Sequence, residues 1–319
     1  MGVDWLAWSN PVAVWWGFLL VASVANIAAL LWLHRCFRRR SFDGDGGTFR
    51  IELLLLLCAI YVFGCAFRSI LPRADVQRIC LFDTWLSSVF VGRSVATVAE
   101  ICFVVQWAIV LRQLGRLTNS DTVRNISAII VPLILLAEVC SWYAVVTTSY
   151  LGNTLENSLW AVSFLLVAAA LLRLLREFSG PVQLAMRSVL VGLAGYVVFM
   201  GTVDVPMYFG RWQEDVASGK QLLGLFSGLH DLGTRWVVTH DIAQWRDEIA
   251  WMSLYFSVAV WSSLGLCAFG LVHDRLPHYR AGARRSRRAD KPLPARREHR
   301  LKTARLDAPR YAARRSGSP

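Results

Sequence analysis

Seven separate stretches of about twenty mostly apolar residues run through this chain, and each is long enough to cross a bilayer as a helix. They lie at 11–33, 50–71, 87–111, 126–148, 156–176, 184–207 and 249–272. The expected fold is therefore all-α, a polytopic transmembrane bundle of seven helices. Composition points the same way: 55% of the 319 residues are hydrophobic and only 18% are charged, against about 25% charged in an ordinary soluble domain. Too few polar side chains exist to cover one or two soluble domains. The 14 Trp suit positions at bilayer interfaces.

The placement of charge orients the bundle. Asp4 is the only charge before the first apolar run, and the basic cluster Arg35, Arg38, Arg39 and Arg40 follows that run. The run is thus a membrane span and not a signal peptide, and its basic flank belongs on the cytoplasmic side. With the N-terminus outside and the C-terminus cytoplasmic, 26 of the 34 Lys and Arg fall inside and eight outside. Fifteen of them lie between Arg275 and Arg315 in a Pro- and Arg-rich segment without apolar periodicity. Residues 275–319 are expected to be a disordered basic cytoplasmic tail resting on anionic lipid headgroups. No aromatic interleaving or folded module supports nucleic acid as a partner. Arg outnumbers Lys by 31 to 3, a bias that points to a GC-rich bacterial genome and hence to the plasma (inner) membrane. Residues 1–274 form the expected transmembrane domain, and 208–248 is its one sizeable outer loop, helix-compatible from about Leu222.

Several seven-helix chemistries are excluded by residue type. A rhodopsin needs a lysine in its last helix, and the only lysines are Lys220, Lys291 and Lys302, none within a span. A cytochrome b-type protein needs paired histidines inside helices, but His34, His230, His240, His273, His278 and His299 all fall near helix ends, in loops or in the tail. Glu-x-x-His repeats of the di-iron type are missing. Membrane hydrolases of the alkaline ceramidase type use a Ser, an Asp and three His, whereas His230 and His240 here are ten residues apart and do not share a helix face. The seven cysteines form no Cys-x-x-Cys pair and read as small apolar filler. Cys80, in an outer loop, is the one expected to meet an oxidising compartment.

Ionisable residues at membrane depth carry the functional signal. A charge near the bilayer centre costs at least about 2.5 kcal/mol, so such residues face the bundle interior. Glu100 and Glu138 lie mid-span in the third and fourth helices. Arg93 precedes Glu100 by seven residues, which puts both on one helix face with Thr97 between them. Asp204 precedes Pro206 and is expected where the sixth helix stops. Matching depth along antiparallel helices places Arg93, Glu138, Glu156 and Asp204 in the outer half and Glu100 near the midplane. Together they predict a polar pocket opening outward. Trp236, His240, Gln244, Asp247 and Trp251 share a helical stripe that would lie over that pocket.

Glu100, Glu138, Arg93, His240 and Asp204 are the candidate site residues. One reading is a membrane-embedded enzyme acting on a lipid or other apolar substrate, with Glu100 or Glu138 exchanging protons and Arg93 holding an anionic group. His240 with Glu138 is the candidate pair for a divalent metal such as Zn or Fe. Other readings are an ion-coupled transporter, a seven-helix receptor or sensor, and an assembly subunit in which the polar residues only pair helices.

Overall fold

A computed structural model describes Leu6, residues 9–39 and residues 45–273, except the side chains of 45–49 and 271–273. The expected basic tail lies outside the described residues. Among the described residues, seven helices are long and apolar enough to cross a membrane: Pro11–Arg38, Arg50–Ile70, Val89–Thr118, Asp121–Thr147, Tyr150–Leu174, Pro181–Ala217 and Ile242–Gly270, here spans one to seven. The chain is a multi-pass helical membrane protein.

Helix ends are set by local chemistry. Asn10 Oδ1 accepts a 2.9 Å hydrogen bond from the Val12 amide, and Pro11 occupies the first turn of span one. Asn119 (φ 54°) and Thr148 (φ 61°) close spans three and four in the left-handed conformation. Each connection to the next span is therefore only two residues long, and spans three, four and five run antiparallel. Spans four and five approach closely at Gly152, where a Cβ would come within 2.5 Å of the Cys140 carbonyl oxygen. Span three is the most enclosed, with 56% of its apolar window buried, and span six the least, with 17%. Val21, Val24, Val139 and Val191 face outward on the bundle surface, as lipid-facing side chains do.

A second polar layer ties spans two, three and seven together. Gln106 Nε2 donates to the Leu54 carbonyl (3.0 Å), and Ser263 Oγ donates to Gln106 Oε1 (2.6 Å). Cys267 Sγ donates to the same Leu54 carbonyl at 3.1 Å. Asn26 takes a 2.9 Å hydrogen bond from Trp261 and donates to the Phe256 carbonyl at 2.8 Å, joining spans one and seven. Such bonds are the usual glue between membrane helices.

Connections between spans two and three, four and five, and six and seven lie at one end of the bundle. Three two-residue strands meet there: β1 (Arg73–Ala74), β2 (Ile79–Cys80) and β3 (Val237–Val238), with β1 antiparallel and β3 parallel to the central β2. A short helix, Leu225–Thr234, packs beside them. Arg78, only 1% exposed, fastens these parts. Its guanidinium donates to Asp231 Oδ2 (2.8 Å), the Asp75 carbonyl (2.6 Å) and the Val145 carbonyl (2.7 Å).

Three expectations change here. Asp204 does not end its helix: Met200–Asp204 is a π-helical turn, and the helix resumes over Val205–Ala217 with Pro206 in its first turn. Proline lacks an N–H and crowds the carbonyl four residues back, and the wider turn takes up that misfit without a break. The stripe from Trp236 to Trp251 is not one helix, because Val237–Val238 is drawn into the sheet and the helix starts only at Ile242, capped by Asp241 Oδ1 on the Ala243 amide at 3.0 Å. Cys80 is not exposed. It sits fully buried in the central strand, with Sγ 3.3 Å from the Phe82 carbonyl.

Candidate functional site

Span three presents Arg93 one turn after its cap, where Ser88 Oγ accepts from the Val91 amide. Seven residues later, at about 1.5 Å rise per residue, Glu100 stands about 10 Å further along the same face, within reach of a long side chain. Arg93 Nη2 lies 3.1 Å from Glu100 Oε2, 2.7 Å from Glu138 Oε2 and 3.3 Å from Glu156 Oε1. Three glutamates from spans three, four and five therefore share one guanidinium. Thr97 Oγ1 donates to Glu138 Oε2 at 2.6 Å and accepts from Trp142 Nε1 at 3.0 Å. Tyr255, from span seven, donates to Glu100 Oε1 at 2.9 Å. All four charged groups are 3–6% exposed, so the cluster belongs to the bundle interior. It holds two more carboxylates than guanidiniums, which makes its charge depend on protons or on whatever else approaches.

What approaches would come through a polar cavity of about 50 Å3 whose wall includes Arg93 and Glu156. Arg68, Arg73, Asp75, Gln77, Asn153, Asn157, Tyr208, Glu248 and Trp251 also line it, at the end of the bundle that carries the sheet. At about 10–15 Å3 per water-sized group this is room for a few atoms, not for a whole lipid. Arg73 Nε lies 2.7 Å from Asp75 Oδ1, and its Nη1 donates to the Ser88 carbonyl at 2.5 Å. The guanidinium occupies the space that any Cβ on Gly92 would need, so this glycine clears the place of an arginine. Arg68 is more weakly paired: its Nη2 is 4.0 Å from Asp75 Oδ2, and the Trp251 and Phe256 rings lie 5.8 and 5.9 Å from its guanidinium carbon. Gln77 Nε2 donates to Glu248 Oε1 at 3.2 Å.

Three groups in the 71–88 connection are electrostatically displaced. Burial pushes the Asp75 carboxyl up, but Arg73, Arg68 and Arg93 outweigh it and hold Asp75 below the usual carboxylate range. Burial draws the Arg73 guanidinium down, against the pull of Asp75. Burial pushes the Cys80 thiol up to about 11.

Of the five candidates, the structure brings Arg93, Glu100 and Glu138 together. Asp204 is beside them but not among them: its Oδ2 accepts a 2.5 Å hydrogen bond from Asn157, a residue of the cavity wall. His240 is elsewhere, with Nε2 2.9 Å from the Leu81 carbonyl oxygen in the sheet region. The pairing of His240 with Glu138 for a metal is therefore not formed. Glu138 Oε2 is taken by Arg93 and Thr97, while its Oε1 has no partner, and His240 Nε2 lies against the Leu81 carbonyl oxygen. Among the described residues, no group of three or more His, Cys, Asp or Glu is arranged to hold a metal ion.

The sequence reading includes Glu156 in the outer half of the expected pocket but leaves Tyr255, Arg68, Arg73, Asp75 and Glu248 out of the site. Arg68 lies within the expected second span and Arg73 in the connection after it, and only the sheet that takes up Arg73 puts both on one cavity wall. Asp75, two residues from Arg73, was the available signal, because a carboxylate that close offers a buried arginine its partner.

No protein family model, no curated protein and no solved structure matches this chain.

Proposed function

We propose that this protein is a membrane-embedded enzyme that handles the polar end of a lipid or other apolar molecule by acid–base chemistry. One observation carries the reading: a guanidinium shared by three glutamates from three spans, adjoining a polar cavity at one end of the bundle. Surplus carboxylates near an arginine and a tyrosine hydroxyl can take up and return protons as a neighbouring group changes charge. Glu100 and Glu138 are the proton-exchanging groups in this reading, Arg93 holds them in place, and Asp204 acts through Asn157 on the cavity wall. The bundle sits with its N-terminus outside and its C-terminus cytoplasmic in a bacterial plasma membrane, so that the cavity opens outward and the basic tail meets anionic headgroups.

An ion-coupled transporter is the second reading, favoured by a specific feature. Spans six and seven each contain a π-helical turn, Met200–Asp204 and Tyr255–Ala259, and each turn carries a residue of the polar region. Such turns mark functional sites and interrupt helices where transport requires it.

The test compares the lipids of membranes carrying equal amounts of folded wild-type protein, Glu138→Gln and Glu100→Gln. The enzyme reading predicts a lipid species that accumulates or disappears with wild type and does not change with the variants. Identical profiles for all three, with proton flux in reconstituted vesicles that only wild type supports, would replace it with the transporter. Identical profiles without flux would leave helix pairing as the role of the cluster.

A further inference from the structure

The cavity of the proposed acid–base site has a wall of two characters, and the ligand inferred from it rests on that reading. Arg68 and Arg73 come from the end of span two and the turn after it. They are 5% and 2% exposed, yet Arg68 Nη1 and Arg73 Nη2 have no hydrogen-bond partner. An unbonded buried donor costs about 1–3 kcal/mol, so two on one cavity wall call for an acceptor. Spans five and seven supply the opposite character. Asn153 Oδ1 is buried without a donor, and Glu248 accepts from the Gln77 amide at 3.2 Å with the Arg211 guanidinium nearby. A bare anion would satisfy the arginines but stand against Asp75, which already pairs with them, and against Glu156 and Glu248. A bare cation would meet three guanidiniums. A group carrying both charges matches both walls and leaves the local charge unchanged.

We infer that the cavity binds a compact zwitterion, an ammonium and a carboxylate carried on one carbon, as in an α-amino acid group. The oxyanion lies on Arg68 and Arg73, and the ammonium on Glu248 and the Asn153 carbonyl. A volume of about 50 Å3 fits such an end group of roughly five heavy atoms. The group can arrive free or as the headgroup of an aminophospholipid.

Isothermal titration of the detergent-purified full chain tests this with glycine and with its two halves, acetate and methylamine. Glycine is expected to bind at least tenfold tighter than either half, and Arg68→Met and Glu248→Gln are each expected to weaken it at least tenfold. In a parallel arm, native mass spectrometry follows lipid retained from nanodiscs of phosphatidylserine or phosphatidylglycerol. Retention of phosphatidylserine alone, with glycine silent, assigns the zwitterion to a lipid headgroup. Acetate binding as tightly as glycine, or neither glycine nor phosphatidylserine binding above the controls, overturns the inference. The wild-type comparison of glycine with its halves needs no variant to fold. Zwitterion binding that survives Glu138→Gln with no lipid change anywhere would fell the acid–base reading alone, and lipid turnover without zwitterion binding would fell only this one.

Discussion

Arg78 shows how much one side chain can hold at the residue scale. Its three acceptors belong to the short helix, to its own turn and to the end of span four, and its backbone is left-handed (φ 61°). Arg78→Ala leaves the Asp231 carboxylate without this partner and frees two buried carbonyls. It should destabilise the protein by about 3 kcal/mol, the lower range for a broken buried ion pair, read as a lower midpoint of thermal unfolding in detergent. Asp75 gives a pH dependence. Its carboxyl is held below the usual range when folded, so its contribution is full above the unfolded value of about 4 and fades as pH falls through the folded value. Unfolding midpoints measured from pH 7 to pH 3 should fall on the acid side for wild type and fall less for Asp75→Asn, which starts lower at pH 7. Equal acid-side slopes would show that Asp75 is not held in this way.

Elements are where sequence and structure agree most and differ most instructively. The seven spans were legible because each is a continuous apolar run, and the stacking of Arg93 with Glu100 was legible because it depends only on helical spacing. Glu156, Tyr255 and the arginines at 68 and 73 join the cluster through packing between elements, which spacing within one helix cannot reveal. Asp204 and His240 were misplaced for local reasons, a π-turn that lets a helix pass a proline and a strand that captures residues read as helical. Gly92 illustrates the same dependence. Read along the sequence, it is a small residue for close helix packing, but its bare Cα makes room for the Arg73 guanidinium. Gly92→Ala should displace Arg73 from the Ser88 carbonyl and cost about 1–3 kcal/mol, the usual range for overpacking a filled site. Gly195→Ala, on an open face of span six with nothing near, should be close to neutral in the same unfolding assay.

The described residues form a seven-span bundle in which the Arg93 cluster lies between spans three, four, five and seven, toward the end that carries the small sheet. The claim that matters is that this cluster is a site reached through its cavity, and not a sealed joint between helices. Asn153 is half-buried on the cavity wall, so a cysteine there reports access directly. The measurement is labelling of Asn153→Cys in intact cells by a membrane-impermeant thiol reagent, in a background with Cys36 and Cys140 changed to serine. The expected result is labelling from outside the cell. Labelling only in inverted vesicles would reverse the orientation, and no labelling from either side would contradict the account at its centre.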